Sequence, residues 1–144
     1  MKSYALRGRI IDGVSDGPVE NGLVVIEQGR IAYAGDARSY GSVSGGSLSG
    51  MEVIDVSAGT ILPGFIDCHT HMNGGDDRPA NGTHYDNILT AVYHLGLLLD
   101  AGFTFIRDMS AYSGALSRAV KRGMVRGPGI MPGGRVLSPT AGHA

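Results

Sequence analysis

Residues 64–77, GFIDCHTHMNGGDD, decide how the rest of the chain reads. An apolar run enters this stretch, two histidines stand one residue apart, and a glycine-rich acidic loop follows. In a strand, side chains alternate between faces, so Asp67, His69 and His71 project one way and Ile66, Cys68 and Thr70 the other. The two histidine Cα atoms then lie about 6.6 Å apart, two steps of ~3.3 Å. From there both imidazoles can reach one cation at ~2.0–2.1 Å. Neutral imidazole is also the commonest protein metal ligand. The alternative is that the two rings only hydrogen-bond, but the apolar strand before them and the loop after them favour metal. A catalytic zinc takes about three protein ligands and an open position, so this pair needs further ligands from elsewhere. Cys68 falls on the opposite face and reads as a small packed side chain rather than a ligand.

Working outward, TILPGFIDCHTH is apolar and continuous enough for one buried strand. Downstream, Ile88, Leu89, Val92, Leu95 and Leu99 recur at helical spacing. Thr83 and Asp86 give a capping signal and Gly102 a stop. FTFIRDM is a second short strand, SGALSRAVKRG a second helix ending at Gly123, and GIMPGGRVLS a third strand-like run. Strands alternating with helices imply a parallel sheet with helices on its faces. The C-terminal ends of such strands are where active sites form, and the histidines stand at one.

Upstream, the chain reads as antiparallel and sandwich-like. YALRGRIIDG offers a first strand closed by Asp12-Gly13. Leu23–Glu27 and Arg30–Ala34 form the arms of a hairpin turning at Gln28-Gly29. DARSYGSVSGGSLSG, residues 36–50, reads as a mobile Gly/Ser-rich surface loop. Glu52–Val56 is another strand, with a turn at Ala58-Gly59. The boundary falls there, dividing a β portion, residues 1–59, from a βα portion, residues 60–144.

Composition excludes several classes. Twelve basic and thirteen acidic residues give a net charge of −1, which leaves no electrostatic footprint for nucleic acid or an anionic membrane. A lone cysteine excludes an internal disulfide framework and a Cys-only zinc cluster. The start lacks a signal-peptide core, and no stretch approaches the ~18 apolar residues of a membrane span, so the expected location is cytoplasmic. Glycine is the outlier, 24 of 144 residues, placed at turns between short apolar runs.

At LPGFIDCHTH the sequence resembles the metal-dependent amidohydrolase superfamily. ENGLVVIEQGRIAYAG and VIDVSAGTILPGFID match the approach to that motif. LDAGFTFIRDM and GRVLSPTAGHA resemble the branch of imidazolonepropionase-like proteins and Xaa-Pro dipeptidases. The resemblance implies an α/β fold: the N-terminal part of a (β/α)₈ TIM-like barrel, about three strands, preceded by a small β-sandwich. His69 and His71 would bind a divalent metal, most readily Zn²⁺, with one or two ions in the full protein. Asp108, at the end of the second barrel strand, and His143, after the third, would meet a small-molecule substrate such as a peptide or cyclic amide. Relatives carry a lysine on the fourth strand, histidines on the fifth and sixth, and a catalytic aspartate on the eighth. None of these has a counterpart before residue 144, and a full barrel needs ~250 residues.

The expected activity of a complete protein is therefore metal-assisted hydrolysis of an amide-type C–N bond, and this chain alone is expected to be inactive. Two alternatives stand beside it: one half of a split enzyme whose partner chain supplies the remaining strands, and a non-catalytic assembly module that has lost the barrel; the expected protein partner is a second copy of the chain or a complementing chain. Asp67 is either a partner of the histidines or a local backbone acceptor. Arg107, His84 and His94 read as structural or surface residues, and Asp76-Asp77 as a solvated acidic loop.

Overall fold

The structure is a computed structural model and describes residues 3–72, 83–135 and 137–142. The chain divides into two compact units, Met1–Pro63 and Gly64–Ala144.

The first unit is a four-stranded sheet. Its strands are β1 (Tyr4–Ile10), β2 (Val19–Glu27), β3 (Arg30–Asp36) and β4 (Glu52–Ile61), in the order β3-β2-β1-β4. Gln28 and Gly29 both take positive φ, 51° and 77°, which suits the two-residue hairpin turn expected there. Glu27 pairs directly with Arg30 across it. Asp12 closes β1, its Oδ1 accepting the N–H groups of Val14 and Ser15. Gly22 faces Gly8 across the β1–β2 ladder, and a Cβ at Gly22 would strike the Gly8 carbonyl and the Ile10 side chain.

Three expectations for this unit are corrected. The sheet is mixed rather than antiparallel, because β4 runs parallel to β1. β4 passes through Ala58-Gly59 without turning, since an irregularity opposite Arg7–Arg9 absorbs the extra residues; the unit accordingly ends at Pro63. Residues 36–50 are not a featureless loop. A 3₁₀ turn, Ala37–Ser39, leads into the short helix α1, Tyr40–Ser44. Asp36 caps the turn by accepting the Arg38 N–H, and Tyr40 is buried with Ala5, Leu23 and Val25. One buried aromatic ring thus anchors a stretch whose composition alone reads as linker.

The second unit is a parallel sheet of β5 (Phe65–Thr70), β6 (Phe103–Asp108) and β7 (Gly129–Pro132), in sequential order. The helices α2 (His84–Asp100) and α3 (Ser113–Lys121) connect them. Ala91 and Leu95 of α2 and Leu116 of α3 share one buried cluster with Ile106 and Ile130. Both helices therefore cover the same face of the sheet, whereas a doubly wound sheet carries helices on both. By strand alternation Phe105 and Met131 point to the other face, and both are exposed. The expectation of one long buried strand over residues 60–71 is corrected as well. Leu62, Pro63 and Gly64 interrupt it, Pro63 having no N–H to pair, and β5 is an edge strand with Phe65 and Ile66 exposed.

In α2 the buried stripe is centred on Ala91 and Leu95, not on Leu89, which is 68% exposed. A small side chain at position 91 lets the helix approach the sheet closely on that line. Thr83 and Asp86 form a reciprocal capping box at its start. The Thr83 N–H and hydroxyl both donate to the Asp86 carboxylate and hold it below the usual carboxylate range. Thr83→Ala is expected to cost about 1 kcal/mol; thermal melting checks the loss, and hydrogen exchange in the first turn of α2 should rise. No helix among the described residues is long and apolar enough to cross a membrane.

Candidate metal centre

His69 is the fifth residue of β5, and His71 directly follows the strand, at its C-terminal end. Their rings turn to the same side. The two Nε2 atoms are 3.1 Å apart and the ring centroids 5.1 Å apart, both residues being exposed. Two nitrogens bound tetrahedrally to one zinc at ~2.0–2.1 Å lie about 3.3–3.4 Å apart. The ring pair is thus within a few tenths of an ångström of a chelating pose, and the donor atoms are those zinc prefers. The residues fit a divalent cation as two of its ligands. Among the described residues no group of three or more His, Cys, Asp or Glu side chains converges on one point.

The neighbouring residues settle into distinct roles. The Asp67 carboxylate accepts the His69 main-chain N–H at 2.9 Å, so of its two expected roles the structure displays the local backbone one. Cys68 is exposed, contrary to its expected packing. Ile66, two residues earlier and paired with Phe105, is exposed as well, so Cys68 follows it on the sheet face that no helix covers. Thr70 is buried and pairs with Asp108 across the sheet.

Asp108 has no exposed surface. Its Oδ1 accepts the N–H groups of Met72 and Ser110, each at 3.1 Å, and its Oδ2 accepts the Ser110 hydroxyl at 2.6 Å. A carboxylate so enclosed joins the end of β5 to the turn after β6, which differs from the substrate contact expected of it. Sequence reasoning overlooked Ser110, although Asp-x-Ser is a turn signature in which the aspartate accepts from the residue two positions on. Arg107 is exposed, and its carbonyl accepts the Thr70 hydroxyl. His84 shares a 2.6 Å hydrogen bond with Tyr112, linking the starts of α2 and α3. His94 is exposed beside Tyr93. His143 and Asp76-Asp77 lie outside the described residues.

No protein-family model matches the chain. Among curated proteins, imidazolonepropionase of Methylobacterium sp. (strain 4-46) is 40% identical over 81 residues, covering 52% of this chain and 19% of that protein. Ochratoxinase of Aspergillus niger is 28% identical over 144 aligned residues, covering 94% of this chain and 28% of that protein. Among solved structures, a prolidase complexed with N-methylphosphonate-L-proline superposes with a TM-score of 0.80 at 31% identity, over 99% of this chain and 34% of that one. Over nearly its whole length the chain is similar to amidohydrolases in sequence and fold. Imidazolonepropionase-like and Xaa-Pro dipeptidase-like members are both among the amidohydrolases it resembles. It spans about a third or less of the length of these relatives.

Proposed function

We propose that this amidohydrolase segment supplies the first two metal ligands, His69 and His71, of a hydrolase acting on amide or cyclic-amide C–N bonds. The observation that carries the reading is the convergence of the two Nε2 atoms to 3.1 Å at the C-terminal end of a parallel strand. That strand end is the active-site side of α/β barrels. Sequential parallel strands with both helices on one face are what a barrel wall requires, which supports reading β5, β6 and β7 as the opening strands of a (β/α)₈ barrel. The apolar face bearing Phe105 and Met131 then belongs to the barrel interior. The first unit corresponds to part of the accompanying β-sandwich.

A bound divalent ion, most readily Zn²⁺, lowers the pKa of its water towards ~7 and polarises a carbonyl. The part played by this chain is to hold that ion with two imidazoles. His143 remains the candidate substrate contact. Two ligands fall short of the three that a catalytic zinc takes, so we expect no turnover from the chain alone.

The test has two arms. The purified chain with added Zn²⁺ is assayed on Xaa-Pro dipeptides and cyclic amides, and no hydrolysis is expected. The same chain is then fused in place of the matching segment of a Xaa-Pro dipeptidase. Metal-dependent hydrolysis that His69→Ala abolishes supports the reading. A folded fusion whose activity is indifferent to His69 and His71 contradicts it.

A further inference from the structure

We propose that Asp108 is a positioning residue for the His69–His71 pair and acts through the main chain at Met72. Its consequence for cation binding rests on the metal reading above; the positioning itself does not. β5 ends at Thr70, so His71 lies beyond its strand, and the β5–β6 ladder is irregular just before that point. Regular pairing therefore does not fix the direction in which His71 leaves the sheet.

What fixes it is a set of bonds to residues 107–109. Before His71, the Thr70 carbonyl accepts the Met109 N–H at 2.8 Å, and the Thr70 hydroxyl donates to the Arg107 carbonyl at 3.3 Å. After His71, the Met72 N–H donates to Asp108 Oδ1 at 3.1 Å. The chain on both sides of His71 is thereby clamped. The Met72 tie is the one of these that holds the chain after His71, and it is made by a side chain of β6.

Asp108 is itself immobilised. Ser110 donates to both of its oxygens, and its own carbonyl accepts the Gly133 N–H at 2.7 Å, which brings in the end of β7. A fully buried carboxylate is costly unless its oxygens are satisfied, and this one spends a hydrogen bond on the residue next to His71. His69 is held separately, through Asp67, so loss of Asp108 should release one ring and leave the other.

The test begins with the metal-free chain. Imidazole NMR should show a contact between the Hε1 protons of His69 and His71 in the wild type and in Asp108→Asn, whose side-chain oxygen can still accept from Met72. In Asp108→Ala that contact should vanish, and Zn²⁺ affinity, read by competition with a chromogenic chelator, should fall about 10–100-fold. Leu116→Ala, in the core cluster of the same unit, supplies a destabilised reference that should keep the ring contact. Asp108→Ala that retains contact and affinity would overturn the proposal, as would Leu116→Ala losing the contact equally. Should Asp108→Ala fail to fold, Ser110→Ala decides: a weakened contact and a few-fold loss of affinity support positioning, and wild-type behaviour refutes it. A wild type that shows the ring contact but binds no Zn²⁺ would sink the metal reading alone.

Discussion

His69→Ala or His71→Ala is expected to weaken Zn²⁺ binding by about 100- to 1,000-fold while leaving the fold intact. A four-ligand zinc site is worth ~10–16 kcal/mol, so one ligand carries roughly a quarter of that, 2.5–4 kcal/mol. At 1.4 kcal/mol per decade this is two to three orders of magnitude. Both side chains are exposed and neither belongs to a core cluster, so their removal leaves no cavity. Equilibrium dialysis with metal analysis reads the loss, and circular dichroism checks the fold. Wild-type affinity in either variant would mean that the Nε2–Nε2 approach is a plain hydrogen bond between rings. The double variant should show no residual Zn²⁺ binding, whereas His84→Ala should bind as the wild type does, since His84 is engaged with Tyr112 and takes no part in the pair.

The second large effect is on stability. Leu95→Ala should cost 2–5 kcal/mol, the range for truncating a fully buried leucine. Leu95 has no exposed surface and sits where α2 meets Ile106, Leu116 and Ile130. Leu89→Ser on the same helix should stay within about 0.5 kcal/mol, because Leu89 already faces solvent. Chemical denaturation of the two variants separates these cases directly. Equal losses would mean that α2 is rotated about its axis relative to the packing described above.

This contrast also marks how far periodicity could be read. The spacing of Ile88, Leu89, Val92, Leu95 and Leu99 correctly marks a helix, and Thr83 and Asp86 correctly mark its start. It does not say which apolar line faces the sheet, because Tyr85, Leu89, Tyr93 and Leu97 form a second line at four-residue steps. The small side chain of Ala91 permits the close approach, and that choice is made by the sheet. The hairpin at Gln28-Gly29 was legible because two consecutive positive φ angles demand specific turn chemistry. The parallel pairing of β1 with β4 was not, because pairing partners distant in sequence leave no local signature.

At the site, residue type and spacing by themselves determine that His69 and His71 share a strand end and the chemistry of zinc donors. They likewise mark a β portion followed by alternating strands and helices. Tertiary structure alone decides the rest. Both helices cover a single face, which leaves Ile66 and Cys68 on the open side, and Asp108 is buried with its carboxylate accepting the Met72 N–H. The reason is physical: alternation and helical spacing are local properties of the backbone, whereas burial and hydrogen-bond partnership depend on which segments meet.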